Sequence, residues 1–232
     1  KLVLLERNTK NSKKISITMI FNYFDGGFYL NLDKRTERRD TFEKRSKEAG
    51  FEVERFSAIQ LNEEDVLNPH NGVNWHIKIS CTYSHFEMIK EAKRRGWKNC
   101  VIFEDDCVFE NGFVDKVKKC IDELKDTKWD LFYMGGEPGG WCDSVGDNLA
   151  KCTAGMYATH AYVINESFYD RVLGLRYDMG IIDTIYMAMY TNNYYMAKEL
   201  LAWQDGEFES DLWGGKLDRK EQYINTYKKW IR

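Results

Sequence analysis

Glu104, Asp105 and Asp106 stand side by side at the end of the apolar run Val101-Ile102-Phe103, and Cys107-Val108-Phe109 resumes on the far side. Three adjacent carboxylates repel one another and are costly to take out of water. A folded chain tolerates them where they stay wet or where a positive charge neutralises them. A solvated acidic turn is one reading; a divalent cation, the most economical partner for oxygen ligands so closely spaced, is the other. A run of β-branched and aromatic residues that ends abruptly in acid reads as a buried parallel strand. Its carboxyl end faces the crevice where open α/β sheets bind ligands. Side chains alternate along a strand, so Glu104 and Asp106 point to one side and Asp105 to the other. Asp106, farthest into the crevice, is the leading metal ligand, with Glu104 beside it.

Positioning such a strand end takes a sheet and its crossovers. Phe28-Tyr29-Leu30-Asn31-Leu32 reads as the first convincing strand, after a turn at Asp25-Gly26-Gly27, and Ile15 to Phe21 as a peripheral one. A helix follows with Thr36 as N-cap and Gly50 as its stop, then an alternating strand over Phe51 to Phe56. Strand, helix, strand implies a parallel unit with a right-handed crossover. Ile77 to Arg95 has helical spacing and Gly96 ends it, directly before the acidic strand. Beyond it the pattern predicts a helix over Phe113 to Leu124 and a strand over Trp129 to Met134. A glycine-rich loop of the kind that closes over substrates spans Gly135 to Gly140. Further on come a strand over Met156 to Ile164, helices from Glu166 and Ile181, a late strand over Tyr194 to Trp203 and a terminal helix from Glu221. No repeat or linker interrupts this, which reads as one α/β domain with a mostly parallel central sheet flanked by helices.

Composition narrows the partners. A formal net charge of -3 over 232 residues gives no reason to expect nucleic acid or an anionic membrane. Aromatics make up 15% of the chain against only two prolines, Pro69 and Pro138, which suits a compact globule with an aromatic-lined cleft. The six cysteines form no C-x-x-C pair, and reduced thiols are expected, with a Cys142–Cys152 disulfide as the lesser alternative. No apolar run reaches membrane-spanning length, and Lys1-Leu2-Val3-Leu4-Leu5 is too short for the core of a signal peptide. A soluble, cytoplasmic protein is therefore expected, of a chain that starts on Lys and can be part of a longer one.

Several stretches together resemble glycosyltransferase family 25, which contains lipooligosaccharide galactosyltransferases and procollagen hydroxylysine galactosyltransferases. They are Phe28 to Arg35 with Glu37-Arg38-Arg39, Glu54 to Ala58, Ser84-His85, and Phe103-Glu104-Asp105-Asp106. The likeness continues through Trp129 to Gly135, Thr159 to Ile164, Ile182-Asp183 and Ser210-Asp211. One departure precedes the Ser-His pair, where members often have Gly-Cys-Ala or a similar small triplet and this chain has Ser80-Cys81-Thr82-Tyr83. The resemblance implies a GT-A type nucleotide-sugar-binding fold across residues 1–232. Residues 1–27 would form an extension, 28–211 the core and 212–232 a C-terminal segment. It also implies Mn²⁺ or Mg²⁺ as cofactor, a UDP-hexose donor and a protein or saccharide acceptor. The reaction expected is inverting transfer of a hexose, galactose before glucose, to a hydroxyl such as that of hydroxylysine.

Roles then attach to residues. Asp106 and Glu104 hold the metal, while Asp105 or Glu104 meets ribose hydroxyls or a metal-bound water. Asn31, Asp33, Arg35 and Arg38 lie where a strand runs into its helix, suited to uracil, ribose and phosphate; Arg39 and Arg45 fit a solvated helix face. Ser84 and His85 precede the acidic strand, and His85 is also compatible with an ordinary core position. His160 could orient a phosphate, and Gln204 could meet sugar hydroxyls. Asp183 interrupts the apolar run from Ile181 to Met187, as a general base or as a helix N-cap. Asp211 is the other candidate base, or completes the metal shell. Trp141, Trp203 and Trp213 offer stacking surfaces for sugar. A domain of this fold that binds without turnover is the competing reading.

Overall fold

A computed structural model describes residues 23–66, 74–208 and 219–232. The chain opens with β1 (Gly26–Asn31), α1 (Thr36–Glu48), β2 (Glu54–Ser57), α2 (Trp75–Arg94), β3 (Asn99–Glu104), β4 (Cys107–Phe109) and α3 (Phe113–Leu124). Five short strands follow: β5 (Leu131–Tyr133), β6 (Glu137–Pro138), β7 (Cys142–Ser144), β8 (Leu149–Cys152) and β9 (Met156–Tyr157). The chain closes with β10 (Ala161–Asn165), α4 (Glu166–Leu173), α5 (Ile182–Ala188), β11 (Tyr194–Ala197), β12 (Ala202–Gln204) and α6 (Lys220–Trp230).

Eight strands form one sheet in the order β2-β1-β3-β10-β5-β11-β8-β7. β2, β1 and β3 are parallel, β10 runs against β3 and β5, β11 follows β5, and β8 reverses between β11 and β7. Six of the eight strands therefore run the same way. Alternation along each strand feeds two cores. Phe28, Ile102, Tyr133 and Tyr162 pack under α2, α4, α5 and α6, while Tyr29, Val101, Phe103 and Phe132 pack under α1 and α3. This three-layer arrangement leaves the carboxyl ends of β1 and β3 side by side, with Leu30 opposite Glu104.

The structure corrects several expected boundaries. β1 begins at Gly26 because Gly26 and Gly27 lie inside the strand: a Cβ on Gly26 would meet the Trp97 ring at 2.2 Å, so the pair provides close approach and makes no turn. Arg35, not Thr36, holds the N-cap of α1. The strand expected over Met156 to Ile164 breaks at Ala158, which is left-handed with φ 66°; β9 pairs with β6 and β10 joins the main sheet. The late strand divides likewise, β11 in the main sheet and β12 against β4. The glycine-rich loop is a packed wall. A Cβ on Gly135 would lie 2.0 Å from the Ala202 carbonyl, and one on Gly139 would meet Met187 at 2.6 Å. Cys142 and Cys152 face each other across β7 and β8 as free thiols. The strand expected at Ile15 to Phe21 lies outside the described residues. No helix among the described residues is long and apolar enough to cross a membrane.

Candidate active site

β3 delivers Glu104 to the sheet's edge, and the chain turns at Asp105 and Asp106 before β4. β1 places Asn31 beside them, β12 brings Gln204 opposite Cys107, and α2 supplies Ser80, Cys81 and Ser84. The first turn of α5 adds Asp183. These residues line one cavity of about 510 Å³. Serines fasten its rim to α2: Ile59 N–H donates to Ser84 Oγ at 2.9 Å and Leu61 N–H to Ser80 Oγ at 3.0 Å. The larger residues at the departure before Ser-His also hold neighbours, since Thr82 Oγ1 donates to the Gly180 carbonyl at 3.1 Å and Tyr83 stacks on Tyr177.

The three acids meet different surroundings. Asp105 is buried, accepting from Asn31 Nδ2 at 2.6 Å and pairing with the Arg38 guanidinium. Asn31 in turn accepts from Arg55 Nε at 2.9 Å. Asp106 Oδ2 lies 3.4 Å from Arg38 and accepts from Gln204 Nε2 at 3.3 Å. Its Oδ1 is buried without a hydrogen-bond partner among the described residues. Burial, then the charge of Glu104, push the Asp106 carboxyl up to about 7 despite Arg38. Burial works against the Glu104 carboxylate too, but His85, His160 and the Thr159 hydroxyl at 3.1 Å hold it below the usual range. The Arg38 guanidinium thus answers two acids, and Asp106 keeps an oxygen without a partner among the described residues. Carboxylate donors in that state fit a hard divalent cation.

Asp183 accepts from Thr184 N–H at 2.7 Å, and its carboxyl is raised chiefly by burial. Its helix is capped at Ile181, so Asp183 sits in the first turn and not at the cap. Other expected residues lie off the cavity wall. Asp33 is exposed and tied to Arg55 and Ser57; Arg35 lines a separate hollow of about 210 Å³ with Lys34, Arg38 and Phe208. His85 and His160 are fully buried behind Glu104, and burial lowers the His160 pKa. Trp141 packs on Trp230, Trp203 lies under Lys220, and neither lines the cavity. Asp211 and Trp213 are outside the described residues.

Two features escaped the sequence reading. Arg45 is no solvated face residue: it pairs with the buried carboxylate of Asp205, whose N–H donates to the Asp106 carbonyl at 2.8 Å, and so anchors the chain after β12. Cys81, expected only as one of the reduced thiols, lines the cavity, and burial followed by the charges of Glu104, Asp183, Asp106 and Asp105 pushes its thiol well up. Its signal was the four-residue step to His85 on one helix face.

Residues 24–137 match the model of glycosyltransferase family 25 (LPS biosynthesis protein), a span that holds Asn31, Arg38, Ser84 and all three acids. Procollagen galactosyltransferase 2 of Mus musculus is 28% identical over 132 residues, 48% of this chain. Over these residues the chain is similar to glycosyltransferase family 25. A Bos taurus relative, probable inactive glycosyltransferase 25 family member 3, is 29% identical over 162 residues, 61% of this chain. The chain spans 21% and 27% of the length of these two relatives. Among solved structures, a glycosyltransferase involved in the glycosylation of the major capsid of PBCV-1 aligns over 63% of this chain and 62% of its own, at TM-score 0.38 and 9% identity. That likeness is too slight to bear on the site.

Proposed function

We propose that this chain transfers a hexose, galactose before glucose, from a UDP-sugar to an acceptor hydroxyl with inversion, and that Mn²⁺ or Mg²⁺ serves it. The observation that carries this reading is the buried Asp106 Oδ1, without a hydrogen-bond partner among the described residues, on the wall of a cavity of about 510 Å³. Asp106 and Glu104 would hold the cation, whose chemistry is to offset the negative charge that grows on the departing UDP. Arg38 and Asn31 fix Asp105 and so the turn that presents Asp106. Lys34, Arg38 and Arg219 line the same cavity and supply positive charge for a diphosphate.

Asp183 takes the proton from the acceptor hydroxyl as that oxygen bonds to the anomeric carbon and the bond to UDP breaks. Burial suits it to this, because a carboxyl raised above its usual range is a stronger base once ionised. Gln204, oriented by Tyr223 Oη donating to its Oε1 at 3.1 Å, offers its amide to Asp106 and to sugar hydroxyls. The relative named a procollagen galactosyltransferase favours galactose and a procollagen-like acceptor, and the family's description as an LPS biosynthesis protein favours a saccharide. The competing reading, binding without turnover, takes support from the relative named probable inactive; the three acids retained here speak against it. Slow release of UDP to water in the presence of Mn²⁺ separates them, since a binding module releases none. Asp183→Asn should lower kcat about 10²-fold, with little change in donor KM and with the loss of the rising acid limb of the pH–rate profile. An unchanged limb would assign the base elsewhere, Asp211 first.

A further inference from the structure

A second set of ligand atoms lies directly behind the carboxylates. A Cys81 thiol, a His85 ring nitrogen and a Glu104 carboxylate oxygen all lie within 4.8 Å of one another. Cys81 and His85 stand four residues apart on α2, so one helix face delivers both, and the end of β3 supplies the third. His85 is fully buried, and its Nε2 has no hydrogen-bond partner among the described residues. That nitrogen is 3.6 Å from Glu104 Oε1, too far for a hydrogen bond and suited to two atoms that share a metal.

The far side of the ring has a partner that can hold it for the same purpose. His85 Nδ1 lies 2.9 Å from the Tyr162 hydroxyl, which is 3.1 Å from the Tyr186 hydroxyl. Metal binding would select the tautomer with Nδ1–H donating to Tyr162 and Tyr162 donating to Tyr186, which frees the Nε2 lone pair for a cation between Glu104 and Cys81. A metal-binding histidine is commonly held by just such a bond on its other nitrogen. Cys81 and Glu104 both line the cavity, so a further coordination position opens into it.

We propose that Cys81, His85 and Glu104 form a binding site for a borderline divalent cation of the zinc class, with water in the position facing the cavity. One sulfur, one imidazole nitrogen and one carboxylate oxygen select Zn²⁺ or Co²⁺ over Mn²⁺ or Mg²⁺, which favour oxygen alone. On binding, the thiol proton leaves to solvent as the sulfur–metal bond forms, and no group is oxidised or reduced. Glu104 belongs to this set and to the pair with Asp106, so the two cations compete for it. The site stands whether or not the chain turns over a nucleotide sugar.

The test is titration of the full, chelator-stripped chain with Co²⁺. A thiolate-to-cobalt charge-transfer band should rise to saturation at one equivalent, and equimolar Zn²⁺ should displace it while Mn²⁺ does not. Cys81→Ala should lose the band and Cys120→Ala, remote from the cavity, should keep it. No band, or one that survives Cys81→Ala, overturns the proposal and leaves the Asp106 reading intact. Should Cys81→Ala fail to fold, the wild-type chain decides: Zn²⁺ should slow maleimide alkylation of Cys81, mapped by mass spectrometry, about tenfold or more. An unchanged alkylation rate overturns the proposal.

Discussion

Arg38→Met should lower the unfolding free energy by about 3–5 kcal/mol, read as a fall in the urea midpoint at neutral pH without a change in slope. Methionine keeps much of the apolar length of arginine and removes the guanidinium. The arginine and aspartate side chains are only 10% and 8% exposed, so solvent screens the pair little, and the variant takes the guanidinium away from a buried, charged Asp105. The second loss falls on Asp106, whose carboxylate then keeps the Gln204 amide alone among the described residues. A double variant with Asp105→Asn should recover most of the stability, because removing both charges avoids stranding one. If Arg38→Met costs less than about 1 kcal/mol, the pair is an ordinary surface bridge and does not fix the acidic turn.

Asp106→Asn should act with opposite sign on stability and activity. Turnover in Mn²⁺ should fall about 10³-fold or more, since the variant removes the proposed ligand of the cation that would face the leaving diphosphate. Stability of the metal-free chain should rise at pH 8. The Asp106 carboxyl titrates near 7 in the fold against 3.8 as an ordinary aspartate, so the fold favours its protonated form. That contribution is complete below about pH 4 and is lost as pH climbs through about 7, up to about 4 kcal/mol in all. Wild-type stability should therefore decline across that window. The asparagine variant should lose this part of the slope, and Mn²⁺ should stabilise the wild-type chain at pH 8 far more than the variant.

Local pattern carried much of the fold. α3 over Phe113 to Leu124 and α4 over Glu166 to Leu173 follow from apolar spacing and end signals, with Asn165 accepting from Ser167 N–H to cap the second. The strand ending in Glu104 was legible because an apolar run stops at acid. What local pattern could not show was which partner each short strand would find. Met156 to Ile164 reads as one run, yet β6 claims its beginning and β3 with β5 claim its end, and the left-handed Ala158 joins the two. Tyr194 to Trp203 divides for the same reason. At the site, the acids were legible as a group while the task of each was not. Asp105 is defined by Asn31, 74 positions earlier, and by Arg38; the cysteine four residues before His85 acquires chemistry only once β3 brings Glu104 to it.

The account depends most on a cation at Asp106 gripping a diphosphate. Calorimetric titration of UDP into the wild-type chain, with and without Mn²⁺, and into Asp106→Asn tests it most directly. Mn²⁺ should tighten UDP binding to the wild-type chain about tenfold or more and leave the variant's affinity unchanged. Equal UDP affinity in the wild-type chain with and without the metal would contradict it.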